Sequence, residues 1–206
     1  MRQEDLFGES QIPRNLEGPD LEVLYSPGFL DPTRARVVMD RLLKETSFQQ
    51  YERTLFGVTR PTPRQEAWIG DPECSYGYSG MVLQPSPWTP LLEELRDQIS
   101  RSINATFNSV LINHYRTGAD SMGWHADDEA SLGMCPVIAS LSLGATRTLQ
   151  LRHVVTGNGR HSIDLHGGDL LVMSGRTQSH WQHQLPKTQR DVGPRLNLTF
   201  RKIQFA

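Results

Sequence analysis

The feature that most constrains the fold is a series of five short segments after residue 108 that are typical of β-strands. Each is rich in β-branched or other apolar residues and is bounded by Gly, Pro or Asn. The segments read SVLINHYRTG (109–118), PVIASLSLG (136–144), RTLQLRH (147–153), SIDLHGGDLLVMSG (162–175) and PRLNLTFRKI (194–203). Short strands separated by turn residues predict an antiparallel sandwich or jelly roll.

Two helices are predicted in the N-terminal half, each with an N-cap residue followed by proline. Asp31 precedes Pro32 in DPTRARVVMDRLLKETS, and Thr89 precedes Pro90 in TPLLEELRDQISRSIN. Proline suits the first helical position because no backbone N–H is needed there. The segment between them, 51–80, is rich in Pro, Gly and aromatic residues and predicts hairpins and loops. The expected fold class is therefore α+β, mainly β, with the N-terminal helices braced against the β-rich half.

The length and composition predict one domain. The chain has 206 residues, of which 37% are hydrophobic, and this is enough for a single core. We expect residues 1–20 to form a polar N-terminal extension and residues 21–206 to form the domain. The polar start MRQEDLFGES is unlike a secretory signal, and no apolar run approaches the roughly 20 residues that span a bilayer. Two widely separated cysteines favour a reducing cytoplasm, with a bacterial one preferred.

The stretch GWHADDEASLG, residues 123–133, suggests a metal site. In an extended segment, side chains at i and i+2 point the same way, so His125 and Asp127 can bind one metal ion. Two histidines and one carboxylate can hold Fe(II) and leave positions open for a co-substrate and O2. The third ligand must be distant in sequence, and the candidates are His180 and His183 in SHWQHQLP. His183 is preferred because it lies just before LP and an arginine-bearing strand. The alternative is a solvated acidic turn.

The last predicted strand has a polar face and an apolar face. Period two puts Leu196, Leu198 and Phe200 on one side. The opposite face carries Arg195, Asn197, Thr199 and Arg201. If this face looks into a barrel, its arginines suit a small dicarboxylate. The arginines lie about 20 Å apart along an ideal strand, so they need not bind the same carboxylate. The alternative is an edge strand that faces solvent.

Taken together, these motifs resemble the AlkB family of Fe(II)- and 2-oxoglutarate-dependent dioxygenases. The resemblance is carried by NHY (113–115), HADDE (125–129), HWQHQLP (180–186) and PRLNLTFR (194–201), in that order. Within the family the resemblance is strongest to the double-strand-acting mammalian homologue, through TPRQEAWIGD, YGYSG and PWTPLLEELRDQI.

The resemblance implies a double-stranded β-helix (jelly roll) with a nucleotide-recognition lid over about residues 50–80. It implies iron on His125, Asp127 and His183, and O2 and 2-oxoglutarate as co-substrates. The residues expected at 2-oxoglutarate are Asn113, Tyr115, Arg195, Asn197, Thr199 and Arg201. Arg195 would take the distal carboxylate, and Arg201 would lie near the end that iron chelates. The implied reaction removes alkyl groups from damaged bases and releases aldehyde, succinate and CO2.

The carboxylates after Asp127 are expected to meet the substrate. N-methylated adenine and cytosine of this class are cationic, so a nearby carboxylate would favour them over normal bases. Glu129 is the preferred base contact, and we expect it to be catalytic together with the three iron ligands. Asp128 is either a second contact or a hydrogen bond that orders the loop. Tyr76 and Tyr78, one residue apart in a Gly-rich loop, are expected to wall the pocket for a flipped base.

The segment LFG, residues 55–57, is predicted to act as a wedge. Leu55 and Phe56 lie between Arg53 and Arg60, and Gly57 completes the motif. An apolar wedge can fill the gap left by a flipped base while nearby arginines hold phosphates. The alternative is Phe56 packed beneath its own hairpin.

The expected partner is nucleic acid that carries alkylated bases, with DNA favoured and duplex DNA included, and the protein is expected to be a monomer without membrane contact. Long acid-free stretches, 130–163 and 170–190, permit local phosphate binding although the net charge is −2. Two alternatives remain: an Fe(II)/2-oxoglutarate hydroxylase of a protein or small molecule, and a non-enzymatic jelly-roll binding module.

Overall fold

Two antiparallel β-sheets packed face to face form the body of the protein. The architecture comes from a computed structural model that describes residues 12–55, 57–74, 76–78, 81–154 and 159–204. The strands described are β1 (Arg14–Leu16), β2 (Glu22–Ser26), β3 (Glu52–Leu55), β4 (Val58–Pro61), β5 (Gln65–Gly70), β6 (Tyr76–Tyr78), β7 (Met81–Leu83), β8 (Ser109–Tyr115), β9 (Met122–His125), β10 (Ile138–Gly144), β11 (Arg147–His153), β12 (Arg160–Leu165), β13 (Leu170–Ser174), β14 (Trp181–Leu185) and β15 (Arg195–Arg201). The α-helices described are α1 (Pro32–Glu45), α2 (Pro90–Ile103) and the single-turn α3 (Thr177–His180).

The larger sheet has the strand order β1-β2-β13-β10-β15-β8-β5, and the smaller has the order β12-β11-β14-β9. From β8 onward the chain crosses repeatedly between the sheets, with four strands in each. This double winding is the jelly roll that the five β-type segments predicted.

Both long helices begin where the sequence predicted. The Asp31 carboxylate accepts hydrogen bonds from two backbone N–H groups of the first turn of α1, and the Thr89 hydroxyl caps α2. The two helices cover the outer face of the larger sheet, where their apolar sides form one core with the strands. Leu196, Leu198 and Phe200 are fully buried in this core, which confirms the predicted apolar face of β15.

A second apolar cluster lies between the two sheets. It includes Trp181, which is buried and donates from Nε1 to the Pro19 carbonyl oxygen at 2.9 Å. The tryptophan therefore packs in the core and anchors the residues that precede β2. The polar face of β15 borders this space between the sheets, and the site is built there.

Three features differ from expectation. Residues 14–16, in the segment predicted as an extension, add the edge strand β1 to the larger sheet. Residues 65–70, predicted as part of a hairpin and loop region, form β5 and pair with β8 at the opposite edge. Leu55, expected in a loop, ends strand β3, which pairs with β4 as a hairpin. Among the described residues, every helix is too short or too polar to cross a bilayer.

Candidate active site

Three potential metal ligands converge between the sheets. His125 ends β9, and His183 lies directly opposite it on β14, with ring centroids 4.2 Å apart. Asp127 follows β9 by two residues, and one ligand atom from each of the three side chains lies within 4.8 Å of the others. The structure thus brings His183 to the pair, whereas His180 lies beside Arg176 and Asp20. Two imidazoles and a carboxylate form the donor set that suits Fe(II).

The imidazoles are in states that suit metal binding. Burial lowers the pKa of His183 to about 4, and the neighbouring His125 acts in the same direction, so His183 is neutral at pH 7. The Nδ1 of His125 lies 2.8 Å from the Gly123 carbonyl oxygen. Because a carbonyl only accepts, Nδ1 donates the hydrogen in this contact, which leaves Nε2 as the nitrogen that can face a metal. A metal needs unprotonated ligand atoms, and His183 supplies one at pH 7.

Asp127 is fixed from two sides. It is 2% exposed, and its backbone N–H donates to Gln178 Oε1 at 2.9 Å. Gln178, on α3, is held in turn by a contact from its Nε2 to Met173 Sδ at 3.4 Å. The Asp127 carboxylate accepts a hydrogen bond from the Arg201 guanidinium. The ligand oxygen is therefore preorganised although Asp127 lies in a loop.

The polar face of β15 forms a continuous hydrogen-bonded row. Arg195 donates to Asn197 Oδ1 at 2.9 Å, and the Asn197 amide donates to Thr199 Oγ1 at 2.9 Å. Arg195 also donates to the Ser142 hydroxyl at 2.8 Å. Burial lowers the pKa of Arg195 to about 10, so it keeps its charge at neutral pH. The Nε atoms of Arg195 and Arg201 are buried and have no hydrogen-bond partner among the described residues. Such donors suit a buried anion.

Strand β8 supplies the adjacent side. In register, Asn113 lies opposite Asn197 and Tyr115 lies opposite Arg195. Burial raises the pKa of Tyr115, so the phenol is neutral. Its ring lies 5.5 Å from the Arg195 guanidinium carbon.

One cavity joins these groups. It is lined by all three potential metal ligands, by both polar strand faces and by apolar side chains such as Leu171 and Met173. The metal donors and Arg201 lie toward one end of β15, and Arg195 and Tyr115 lie toward the other. The arrangement can hold a cation at one end and an elongated anion along the row.

Comparisons with known proteins agree with this geometry. The family model described as 2OG-Fe(II) oxygenase superfamily matches residues 22–201. The chain is 43% identical to the mouse alpha-ketoglutarate-dependent dioxygenase alkB homolog 3, over 97% of this chain and 72% of the relative. It is 42% identical to the human DNA oxidative demethylase ALKBH2, over 96% of this chain and 71% of the relative. The chain belongs to the AlkB family of 2-oxoglutarate- and iron(II)-dependent dioxygenases.

The fold agrees with membership of the AlkB family. The solved structure of OsALKBH1 superposes with a TM-score of 0.68 over 93% of this chain and the whole of that chain, at 17% identity. As an AlkB-family dioxygenase, the chain uses iron(II), 2-oxoglutarate and O2, so the alternative of a non-enzymatic binding module is wrong. The similar identities to alkB homolog 3 and ALKBH2 do not favour either relative.

The residues predicted to contact substrate are less completely described. Asp128 and Glu129 are exposed and do not line the cavity; Glu129 precedes a short 3-10 turn at 130–132. Gly57 lies in the β3–β4 turn with φ of +78° and open space around its Cα. Tyr76 and Tyr78 lie on β6, and only their backbones are described, as for Leu55. Phe56 lies outside the described residues.

Sequence reasoning missed several residues that support the site. Gln178 positions the Asp127 backbone, and the Ser140 hydroxyl donates to Asn197 at 2.9 Å. Arg64 and Glu66 form a buried ion pair at 2.6 Å, and Arg64 donates to Asn113 Oδ1 at 2.8 Å. The alternation in PVIASLSLG could have indicated Ser140, since it shares a face with Ser142. Nothing in the segment TQSH (177–180) indicates that Gln178 contacts the backbone of Asp127.

Proposed function

We propose that this dioxygenase is an oxidative demethylase of N-alkylated bases in nucleic acid, with DNA as the favoured substrate. The observation that carries the proposal is the 42% identity, along 96% of the chain, to a relative named a DNA oxidative demethylase. The matched length includes the metal cluster and the anion-binding row. The alternative substrates, a protein or a small molecule, have no comparable support.

The cluster of His125, Asp127 and His183 would hold iron(II), because its donors are two imidazoles and a carboxylate within reach of one ion. The chemistry that bound iron(II) supplies is O2-dependent oxidation of 2-oxoglutarate to succinate and CO2, coupled to hydroxylation of the alkyl carbon. The hydroxylated alkyl group then leaves as an aldehyde and the base is restored. The protein's part is to hold, orient and shield these reactants.

The β15 row would hold 2-oxoglutarate. Arg195, deep in the cavity and missing a partner at Nε among described residues, would take the distal carboxylate. Arg201, which contacts Asp127, would lie near the end of the co-substrate that faces the metal. Asn113 and Tyr115 would flank it from β8, and Asn197 and Thr199 would order the row. We expect Arg195→Ala to weaken 2-oxoglutarate binding by about 2–5 kcal/mol, because it removes the charged partner of a buried carboxylate.

Asp128 and Glu129 would contact the damaged base where it enters the cavity from solvent. They directly follow the buried Asp127 and are exposed, so their carboxylates are available to a cationic base that enters from solvent. Glu129 would contact the base, and Tyr76 and Tyr78 would wall its pocket.

Duplex DNA is part of the proposal and rests on the β3–β4 hairpin. Thr54, Val58, Thr59 and Arg60 are exposed there, and Gly57 lies in the turn between the strands. Phe56 precedes Gly57 in the sequence. Unstacking a base costs a few kcal/mol, and this cost is smallest in a single strand. A wedge that offsets part of the cost therefore matters mainly for a duplex. Phe56→Ala should therefore lower repair of a duplex lesion more than repair of the same lesion in a single strand. Equal losses on both would contradict the wedge.

The decisive experiment is a turnover assay on methylated oligonucleotides. Purified protein with Fe(II) and 2-oxoglutarate should release formaldehyde and restore the base across a panel of single- and double-stranded lesions, and His183→Ala should not. If 2-oxoglutarate is oxidised but every oligonucleotide remains methylated, the substrate proposal is wrong. The monomeric state and the cytoplasmic location stay predictions.

A further inference from the structure

Arg147 is a buried arginine for which the proposed function gives no role. It lies at the start of β11 and is 4% exposed. Its guanidinium donates to the carbonyl oxygens of Thr117 at 3.3 Å, Asp120 at 3.0 Å and Pro186 at 2.6 Å. These bonds join the start of β11 to the segment 117–120 and to Pro186, but they are bonds to neutral acceptors.

Arg147 shares an aromatic ring with the arginine of the anion site. Its guanidinium carbon lies 5.9 Å from the Tyr115 ring centroid, and that of Arg195 lies 5.5 Å from the same centroid. The two guanidinium carbons are therefore at most about 11 Å apart. At that range, with little water between them, two charges still interact appreciably.

The charges around Tyr115 do not balance. Among the described residues, no carboxylate lies within ion-pair distance of Arg147 or Arg195, although both side chains are buried. The nearby Asp120 carboxylate pairs with Arg116 and also favours the charge of Arg147 from beyond ion-pair distance, and Glu66 neutralises Arg64. Two buried cations thus lie within 6 Å of one neutral phenol ring, and one of them, Arg195, lines the cavity. Burying charge without a partner is costly, so an anion bound here gains from both.

We infer that Arg147 is a specificity-determining residue for the co-substrate: its charge selects a 2-oxo acid with a second, distal carboxylate. Arg195 contacts that carboxylate, and Arg147 acts on it through space from behind Tyr115. The inference rests on the proposed placement of 2-oxoglutarate along β15. Loss of the charge should weaken binding of 2-oxoglutarate about tenfold, the size expected for unit charges at this range in a partly shielded site.

The test compares two ligands that differ only at the distal end. Calorimetry with Mn(II)-loaded protein would measure the Kd of 2-oxoglutarate and of 2-oxopentanoate, which has the same carbon chain without the second carboxylate. Arg147→Gln should raise the Kd of 2-oxoglutarate about tenfold and leave that of 2-oxopentanoate within twofold. Arg147→Lys, which keeps the charge, should restore most of the preference. Arg34→Gln, at an exposed ion pair with Glu94, controls for the change in net charge.

Each outcome decides the inference. If Arg147→Gln weakens both ligands equally, or neither, Arg147 only braces the loops and the inference is wrong. If Arg147→Gln does not fold, the Lys variant decides: a ligand preference that is mostly retained supports a charge effect, and one that is mostly lost overturns it. Failure of wild-type protein to bind 2-oxoglutarate would instead refute the proposed co-substrate site.

Discussion

Replacing Gln178 with leucine should loosen the metal site without touching any proposed ligand. Gln178 is 4% exposed, and its Oε1 accepts the Asp127 backbone N–H at 2.9 Å. Leucine keeps much of the volume but offers no acceptor, so the Asp127 N–H becomes a buried donor without a partner. That change costs roughly 1–3 kcal/mol.

The cost should appear chiefly in metal affinity. Binding requires the Asp127 carboxylate in one position, whereas the metal-free protein can relax the loop to let the N–H reach water. Changes to groups that orient a metal ligand typically weaken metal binding by about 10–100-fold. We therefore expect the Mn(II) Kd of Gln178→Leu to rise by about that factor, with a fall of up to about 10 °C in the Tm of the metal-free protein.

Calorimetric Mn(II) titration and thermal melts would check this result. Gln184→Leu is the matched control, because Gln184 lies next to His183 and, within the part of the chain that the structure describes, its side chain bonds only to Gln150 of the adjacent strand, at 2.7 Å. It should change the Mn(II) Kd less than twofold. An unchanged Mn(II) Kd in Gln178→Leu would refute the view that this amide positions the ligand.

Three further predictions follow from single contacts. Metal-free protein should lose up to about 3 kcal/mol of unfolding free energy as the pH falls from 6.5 to 4, because the unfolded chain protonates His183 near pH 6.5 and the folded chain only near 4. Urea titrations should show this loss in wild type and not in His183→Gln. Parallel pH profiles of the two proteins would contradict the prediction. His183→Ala should abolish Mn(II) binding whereas His180→Ala should retain it, and the reverse result would move the ligand to His180. Asp169→Ala should lower the Tm by about 6–12 °C with 2-oxoglutarate affinity intact, because the buried carboxylate accepts from the Tyr25 hydroxyl at 2.7 Å and the Gly28 N–H at 2.9 Å; a Tm within 2 °C of wild type would contradict it.

The sequence was most informative about features that lie within one strand or at one helix end. Alternation in RLNLTFR predicted both faces of β15, and Asp31 and Thr89 predicted where the helices begin. These features depend on residues a few positions apart, which local patterns record directly.

It was least informative where distant segments meet. β5 was not predicted as a sheet strand, because its pairing with β8 depends on residues 39 to 49 positions later. The contact from Gln178 to Asp127 spans 51 positions and consists of one amide. The choice between His180 and His183 also depended on the pairing of β14 with β9, which places His183 opposite His125. Such contacts leave no periodic signal in a single sequence.

The short strand β1 has a consequence for how the protein can be shortened. It pairs with β2 over three residues and covers the free edge of the larger sheet. A chain that begins at residue 21 would keep every proposed site residue, but it would leave β2 with an open row of N–H and C=O groups beside buried Val23 and Tyr25. Unpaired edges of this kind recruit strands from other molecules. The shortened enzyme should therefore self-associate as its concentration rises, because β1 shields that edge from other molecules.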